Sequence, residues 1–216
     1  MNRADTWAIG RFTVGDENVF WESSRAERTS AAAHASRVLQ AHGIGCDDKV
    51  VIVSLNSEAV QLVPVEDAVR GLGGLGAPVD ATPRDAARLE SLLRQFDVHT
   101  VLGVRLATID GLAELGHPCS ILASVEVVMA YPDATEALRG AGVQSFLWLP
   151  LGPTVALECP ARQGAHVDGS WWDVAVVDGS IVLRHADNVA VATGVRGTVD
   201  SARCECGNDE PRVRLA

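Results

Sequence analysis

Four side chains in the last third of this 216-residue chain have the types and spacing to share one metal ion. Cys159 and His166 flank a short segment containing Gly164, which allows a turn between them. Cys204 and Cys206 form a C-x-C pair inside ARCECGND. Residues two apart in an extended segment point to one face, and Gly207 can turn the second sulfur inward. Three thiolates and one imidazole fill a tetrahedral zinc shell, the closed arrangement of structural sites. Such a site would join two distant loops in a β-region with little core of its own. The same four residues also read as ordinary buried cysteines beside a surface histidine. Three cysteines and a histidine can ligate an iron–sulfur cluster as well. A Cys204–Cys206 disulfide is disfavoured by the strain of so short a loop.

The bulk composition narrows the setting. Hydrophobic residues make up 47% and charged residues 21%, the balance of a folded soluble protein. With 28 acidic against 18 basic side chains the net charge is −10, which argues against a nucleic-acid surface. No apolar run reaches membrane-spanning length, and MNRADTWAIG lacks the apolar stretch of a signal peptide. The expectation is a cytoplasmic protein with no membrane partner. Its five cysteines then serve as thiols or metal ligands, not as a disulfide framework. Richness in Ala, Gly, Val, Arg and Asp suggests a bacterial source.

The elements that must position the four ligands follow from periodicity. Residues 1–22 are mixed, with Phe12, Phe20 and Trp21 available as anchors. Ser24-Arg25-Ala26-Glu27 reads as a capping box opening a helix to about His42, with Ala32, Ala35, Val38 and Leu39 facing inward. Val50 to Leu55 is a continuous apolar run, the mark of a buried parallel strand. A helix around Ser57 to Arg70, a strand near Gly76–Val79, a helix starting at Thr82-Pro83, a strand over His99–Val104, a helix from Asp133 and a strand at Gln144–Leu149 continue the alternation. The fold class is therefore α/β, a mainly parallel sheet flanked by helices. From about Val155 the runs WWDVAVV, SIVLRH and VAVATGV, separated by turn residues, predict hairpins of a small antiparallel region. We place a boundary near residue 150, giving an α/β core over 1–150 and a zinc-clamped antiparallel β subdomain over 151–216.

Several segments, in the same order, give the chain a resemblance to the phenylacetate–CoA ligases of the adenylate-forming acyl-CoA synthetase superfamily. They are FTVGDENVFWESSRAE, DDKVVIVSLNSEAV, GLGAPVDATPRDAARLESLLRQFDVHTVLGV, ALECPARQGAHV and VATGVRGTVDSARCECGNDEPRVRL. The most specific block is ECPARQGAH followed by CECG, because the resemblance implies a zinc ion on Cys159, His166, Cys204 and Cys206. Departures from the family pattern are equally informative. Its Ser/Thr/Gly-rich phosphate loop falls on Thr13-Val14-Gly15-Asp16-Glu17-Asn18, where two acids would repel a triphosphate. Its Tyr-Gly-x-Thr-Glu motif falls on the stretch from Trp148 to Thr154, which offers no carboxylate. Its ribose-binding aspartate falls on Val195, and its C-terminal domain with a catalytic lysine would lie beyond Ala216. ATP-dependent CoA ligation is therefore not expected.

Candidate cleft residues sit where the parallel strands end: Ser54, Asn56, Asp80, Thr82, Glu126 and Trp148. Of these Glu126, Asp80 and Trp148 are the candidate catalytic groups. Each also reads as an ordinary loop-end residue, and Thr82 as a helix cap. Gly71-Leu72-Gly73-Gly74-Leu75-Gly76 matches a dinucleotide fingerprint only literally, since it follows a helix and precedes a strand. His34 and His42 read as solvated and His117 as unpartnered. His185 and Asp187 read as a hairpin turn or an acid–base pair, and Trp171 and Trp172 face opposite sides of a strand. Nothing matches G-x-S-x-G, H-E-x-x-H or C-x-x-C. The expectation is a non-adenylating ligase-like protein repurposed for bacterial secondary metabolism. It would catalyse an ATP-independent cyclisation, condensation or rearrangement of an acyl or aromatic-acid metabolite. The alternative is a non-catalytic pseudo-ligase that pairs with a full-length ligase, a carrier protein or a second copy of itself.

Overall fold

The chain begins with a β-hairpin, β1 (Thr6–Val14) and β2 (Glu17–Ser24), and passes directly into helix α1 (Arg25–Ala41). The computed structural model describes residues 5–14, 16–117 and 119–216. The capping box forms as the sequence requires: the Glu27 N–H donates to Ser24 Oγ at 3.1 Å, and the Ser24 N–H donates to Glu27 Oε2 at 2.5 Å. Glu27 has further duties. Its Oε1 accepts from the Trp21 indole N–H at 3.1 Å and lies 3.1 Å from His185 Nε2. One buried carboxylate thus ties the hairpin, the helix start and the far end of the chain together. We expect Glu27→Ala to cost about 2–3 kcal/mol, against about 1 kcal/mol for Ser24→Ala, in urea unfolding.

The α/β pattern follows as β3 (Lys49–Ser54), α2 (Ala59–Gly71), β4 (Leu75–Asp80), α3 (Ala86–Gln95), β5 (Thr100–Val104), α4 (Leu106–Glu114), β6 (Val127–Ala130), α5 (Pro132–Gly140) and β7 (Phe146–Leu151). Strands β8 (Thr154–Glu158), β9 (Ala165–His166), β10 (Trp172–Val177), β11 (Ser180–His185), β12 (Ala190–Asp200) and β13 (Arg212–Leu215) complete the chain. All but the N-terminal hairpin join one eleven-stranded sheet, in the order β10-β11-β12-β13-β9-β8-β7-β6-β5-β3-β4. The β4-β3-β5-β6-β7 half is parallel and the rest antiparallel. Hydrogen bonding runs unbroken past residue 150; what changes there is strand direction, at the turn between β7 and β8.

Full burial on both faces explains the continuous apolar strands. Ile52, Leu102 and Met129 face α1 and α2, packing with Val38, Leu39 and Val65. The alternate positions Val51, Val101 and Val128 face α3, α4 and α5 through Leu89, Leu112 and Leu138. Beneath the hairpin a third core joins Leu149, Leu151, Trp172, Leu183 and Val191, with Phe12 and Trp21 laid against it. Trp171 and Trp172 do not face opposite sides of a strand: Trp171 precedes β10, and both rings pack on His185, at 5.3 and 5.1 Å, in the same core. The glycine-rich segment is the α2-to-β4 turn. Among the described residues no helix is long and apolar enough to cross a membrane.

Candidate functional site

The loop between β8 and β9 and the loop between β12 and β13 bring the four predicted ligands into one cluster. Their ligand atoms all lie within 4.8 Å of one another. Cys159 directly follows β8, His166 ends β9, and β9 lies between β8 and β13 in the sheet, so the ligand-bearing loops share one edge. Gly164 and Gly207 both adopt positive φ, at 113° and 88°, supplying the two turns. Cys159 Sγ is 3.6 Å from Cys204 Sγ, and Cys206 Sγ is 3.4 Å from His166 Nε2. A tetrahedral shell with metal–sulfur bonds near 2.3 Å requires sulfur–sulfur separations of about 3.8 Å, so this spacing fits a metal ion. Protonation fits as well. Burial holds His166 down to about 4, keeping the imidazole neutral as a ligand must be. Burial and the Cys206 and Cys204 thiols push Cys159 up to about 12, while against burial the Cys206 N–H and the neighbouring thiols hold Cys204 below its usual value; a bound cation would displace the Cys159 proton.

A second layer of contacts orients the cluster. The His166 Nδ1–H donates to the Glu210 carbonyl at 3.3 Å, which leaves Nε2 facing the sulfurs. The Glu210 carboxylate accepts from His34 Nδ1 at 2.6 Å, from Asn208 Nδ2 at 2.8 Å and from Arg37. Burial alone would raise this carboxyl, but those donors pull it down to about 2. His34 is therefore a buried brace on α1, not a solvated residue. His42 is likewise engaged, its Nε2 lying 2.8 Å from the Glu158 carbonyl and its ring edge-on to Phe146 at 4.4 Å. His117 also has partners, Arg94 at 2.9 Å and Glu90 at 3.5 Å.

A second arrangement occupies the carboxyl edge of the parallel strands. After β3 the chain moves outward to β4, then crosses back to place β5 on the other flank of β3. That reversal is a topological switch point, where open α/β sheets form their ligand crevice. Glu58 follows β3, Arg105 directly follows β5 and Tyr131 directly follows β6. The Arg105 guanidinium donates to both the Glu58 carboxylate and the Tyr131 hydroxyl, and it lies 3.7 Å over the Tyr131 ring. The Tyr131 hydroxyl donates to Glu58 Oε1 at 3.0 Å. Burial and then the Glu58 charge push the Tyr131 phenol well above its usual range, so it stays protonated. Trp148, buried on β7, belongs to the core cluster against which Tyr131 packs.

Trp148 alone among the three candidate catalytic residues thus meets this cluster. Asp80 ends the edge strand β4 and is exposed, its backbone N–H held by Asp85 Oδ2 at 2.8 Å. Glu126 precedes β6, whose first residue pairs with the first residue of β5. It therefore lies at the amino edge of the sheet, opposite the crevice, with its side chain 75% exposed and 3.2 Å from His99. The residue at the carboxyl end of β6 is Tyr131 instead. Ser54 and Asn56 do flank the crevice, while Thr82 makes no side-chain cap. Arg105 and Tyr131 carry a readable signal: each is the first residue after a fully buried apolar strand. At the supposed phosphate loop, Asp16 and Glu17 are exposed at the β1–β2 turn, and Gly15 lies outside the described residues.

No protein-family model matches the sequence, and no curated protein matches it. Solved structures do match. An open conformation of 2-hydroxyisobutyryl-CoA ligase in complex with 2-HIB-AMP and CoA superposes with a TM-score of 0.76 over 99% of this chain and 57% of that one, at 13% identity. A putative long-chain-fatty-acid CoA ligase from Rhodopseudomonas palustris gives 0.58 over 100% and 61%, at 16% identity. Wild-type E. coli MenE with a bound analogue of OSB-AMS gives 0.55 over 94% and 47%, at 16% identity. The fold is that of the adenylate-forming CoA ligases. This chain spans about half the length of the structures it matches.

Proposed function

We propose that this chain is a ligase-like protein that does not adenylate, and that it acts without ATP on an acyl or aromatic-acid metabolite held at the switch-point crevice. The observation that carries the reading is the Glu58–Arg105–Tyr131 cluster. A substrate acid or thioester carbonyl entering there would exchange with Glu58 for the Arg105 fork, a geometry suited to carboxylates. Tyr131, kept protonated, is placed to hydrogen-bond an oxygen on which charge develops. Trp148 supplies an apolar wall. Cyclisation, condensation or rearrangement of the bound acid is the reaction class this set of groups can serve.

The loss of adenylation rests on residues already described: acids at the β1–β2 turn, the apolar Val195, and no carboxylate between Trp148 and Thr154. The metal is read as zinc, held by Cys159, His166, Cys204 and Cys206. It would supply a cross-link between the two ligand loops, because four protein ligands leave no open position. A second reading, a pseudo-ligase that serves a full-length ligase or a carrier protein, draws on the way Glu58 and Tyr131 already occupy the Arg105 guanidinium.

The test combines turnover and binding. With candidate acids, ATP and CoA, pyrophosphate release should match a no-enzyme control; release above it sinks the non-adenylating claim. In a thermal-shift panel of acyl and aryl acids and their thioesters, at least one compound should stabilise the protein and fail to stabilise Arg105→Leu. A panel without any stabilising compound, together with co-elution with a full-length ligase or carrier protein, would favour the scaffold.

A further inference from the structure

We propose that the groove between α5 and β13 binds a small molecule with a phosphate or carboxylate head and an apolar body. The groove has a volume of about 530 Å³, in the range of small-molecule sites. It lies away from the switch-point crevice and borders the β8–β9 loop that joins Cys159 to His166, but none of the four ligands lines it and nothing in the preceding functional reading depends on it. Arg139 from α5, Arg162 from the β8–β9 loop and Arg214 from β13 converge on it, with Leu147, Val213 and Leu215 as its apolar wall.

The case rests on how the guanidinium groups are held. Arg139 and Arg162 donate to one neutral acceptor, the Ser145 carbonyl, at 3.3 and 2.8 Å. Two like charges from different elements are thus brought side by side, which costs energy unless an anion joins them. Burial, and to a lesser extent the nearby Arg139, hold Arg162 below its usual value, with the Glu158 charge acting the other way. Arg162 is fixed in place by Phe146, whose ring centroid is 4.1 Å from its guanidinium, and by a left-handed backbone at φ 55° that non-glycine residues seldom adopt. A solvated arginine on a mobile stem needs neither restraint.

The acids nearby neutralise the pair only in part. Glu158 forms an ion pair with Arg139 at 3.7 Å and its charge also reaches Arg162, but one carboxylate serves two guanidinium groups and its Oε2 already accepts the Leu147 N–H at 2.8 Å. Glu136 lines the groove from the exposed side of α5 and opposes an incoming anion. Arg214 is shared with Asp200 at 2.8 Å and acts as a secondary contact. The expected occupant is therefore one anionic head on the Arg139–Arg162 pair, with its body along Leu147 and Val213.

Phenyl phosphate, phenylacetate and inorganic phosphate are the probes, titrated into the intact protein by calorimetry or ligand-observed NMR. Arg139→Ala, an exposed position, should fold normally and weaken binding about tenfold. Arg162→Lys keeps the charge, loses the planar fork and should weaken binding severalfold. Glu136→Gln should tighten it about twofold, with the gain fading at high salt. Tighter phenyl phosphate than phenylacetate assigns a phosphate head; the reverse order assigns a carboxylate. Inorganic phosphate binding more weakly than phenyl phosphate assigns the apolar wall. Failure of both aryl probes to bind at about ten-millimolar concentration, or affinity unchanged in both arginine variants, overturns the proposal.

Discussion

Replacing Cys159 with serine is expected to empty the metal cluster and remove at least about 4 kcal/mol of stability, the scale at which loss of a metal site registers. Cys159 is fully buried between Cys204 and the β8 backbone. A serine hydroxyl there stays protonated and offers a hard oxygen where the other ligands are soft sulfur and imidazole. Three remaining donors cannot close a tetrahedral shell, and the loops carrying Arg162–Gly164 and Arg203–Gly207 lose their common anchor. Chelation of the unaltered protein should give the same state. Amides of the two loops and of β9 and β13 would then exchange before those of β3, β5 and β6, whose contacts are with helices and do not involve the metal. Elemental analysis should read one zinc per chain before substitution and well under one after it. Cys46→Ser and Cys119→Ser, at positions outside the cluster, serve as controls that keep the metal. A Cys159→Ser protein with full metal content and an unchanged melting temperature would refute the site.

That cluster was legible because residue type and spacing made it plausible and the resemblance to the phenylacetate–CoA ligases picked out the same four positions. The α/β alternation was legible for a related reason: strands buried on both faces must read as unbroken apolar runs, as VVIV in β3 does. Other parts lacked a local signal. Helix α4 runs unbroken through Gly111, a residue that in sequence suggests a break; the glycine is there because a Cβ would lie 2.6 Å from the Pro83 carbonyl oxygen, so it permits a close contact with the Pro83 turn. Strand β6 is four residues long and β9 only two, and their existence depends on partners far away in sequence. The hairpin β1–β2 mixes polar and apolar residues because only its inner face, through Phe12 and Trp21, meets the core. The crevice cluster was missed for a topological reason. Glu58, Arg105 and Tyr131 are 47 and 26 residues apart, and only the crossover from β4 back to β5 brings them together. Glu126 was misplaced for want of the short β6, whose start and end fix which residue faces the crevice.

Arg212 is the second position from which a large effect is expected. It is 1% exposed, opposite His166 across the β9–β13 pair and opposite Asp200 across the β12–β13 pair. Its guanidinium donates to Gln163 Oε1 at 2.8 Å and to the Ala202 carbonyl at 2.8 Å, and it meets Asp200 Oδ2 at 3.0 Å. These acceptors belong to the loop that carries His166 and to the segment leading into Cys204, so one side chain spans both arms of the metal cluster. The Asp200 carboxyl is held below its usual value by the Ala202 N–H and by Arg212 and Arg214. Removing the guanidinium leaves Gln163 Oε1 and the Ala202 carbonyl without their donor and opens a cavity, while Asp200 keeps Arg214, a loss of about 2–4 kcal/mol. We expect Arg212→Ala to fall in that range and Arg212→Lys to recover little, because a single ammonium cannot span the three acceptors. The decisive measurement is a double-mutant cycle with Cys159→Ser in urea unfolding. If Arg212 works by bracing the metal loops, the two losses overlap and the double variant is more stable than their sum by about 1–3 kcal/mol. Strict additivity would mean that the brace holds β12 to β13 and does nothing for the metal.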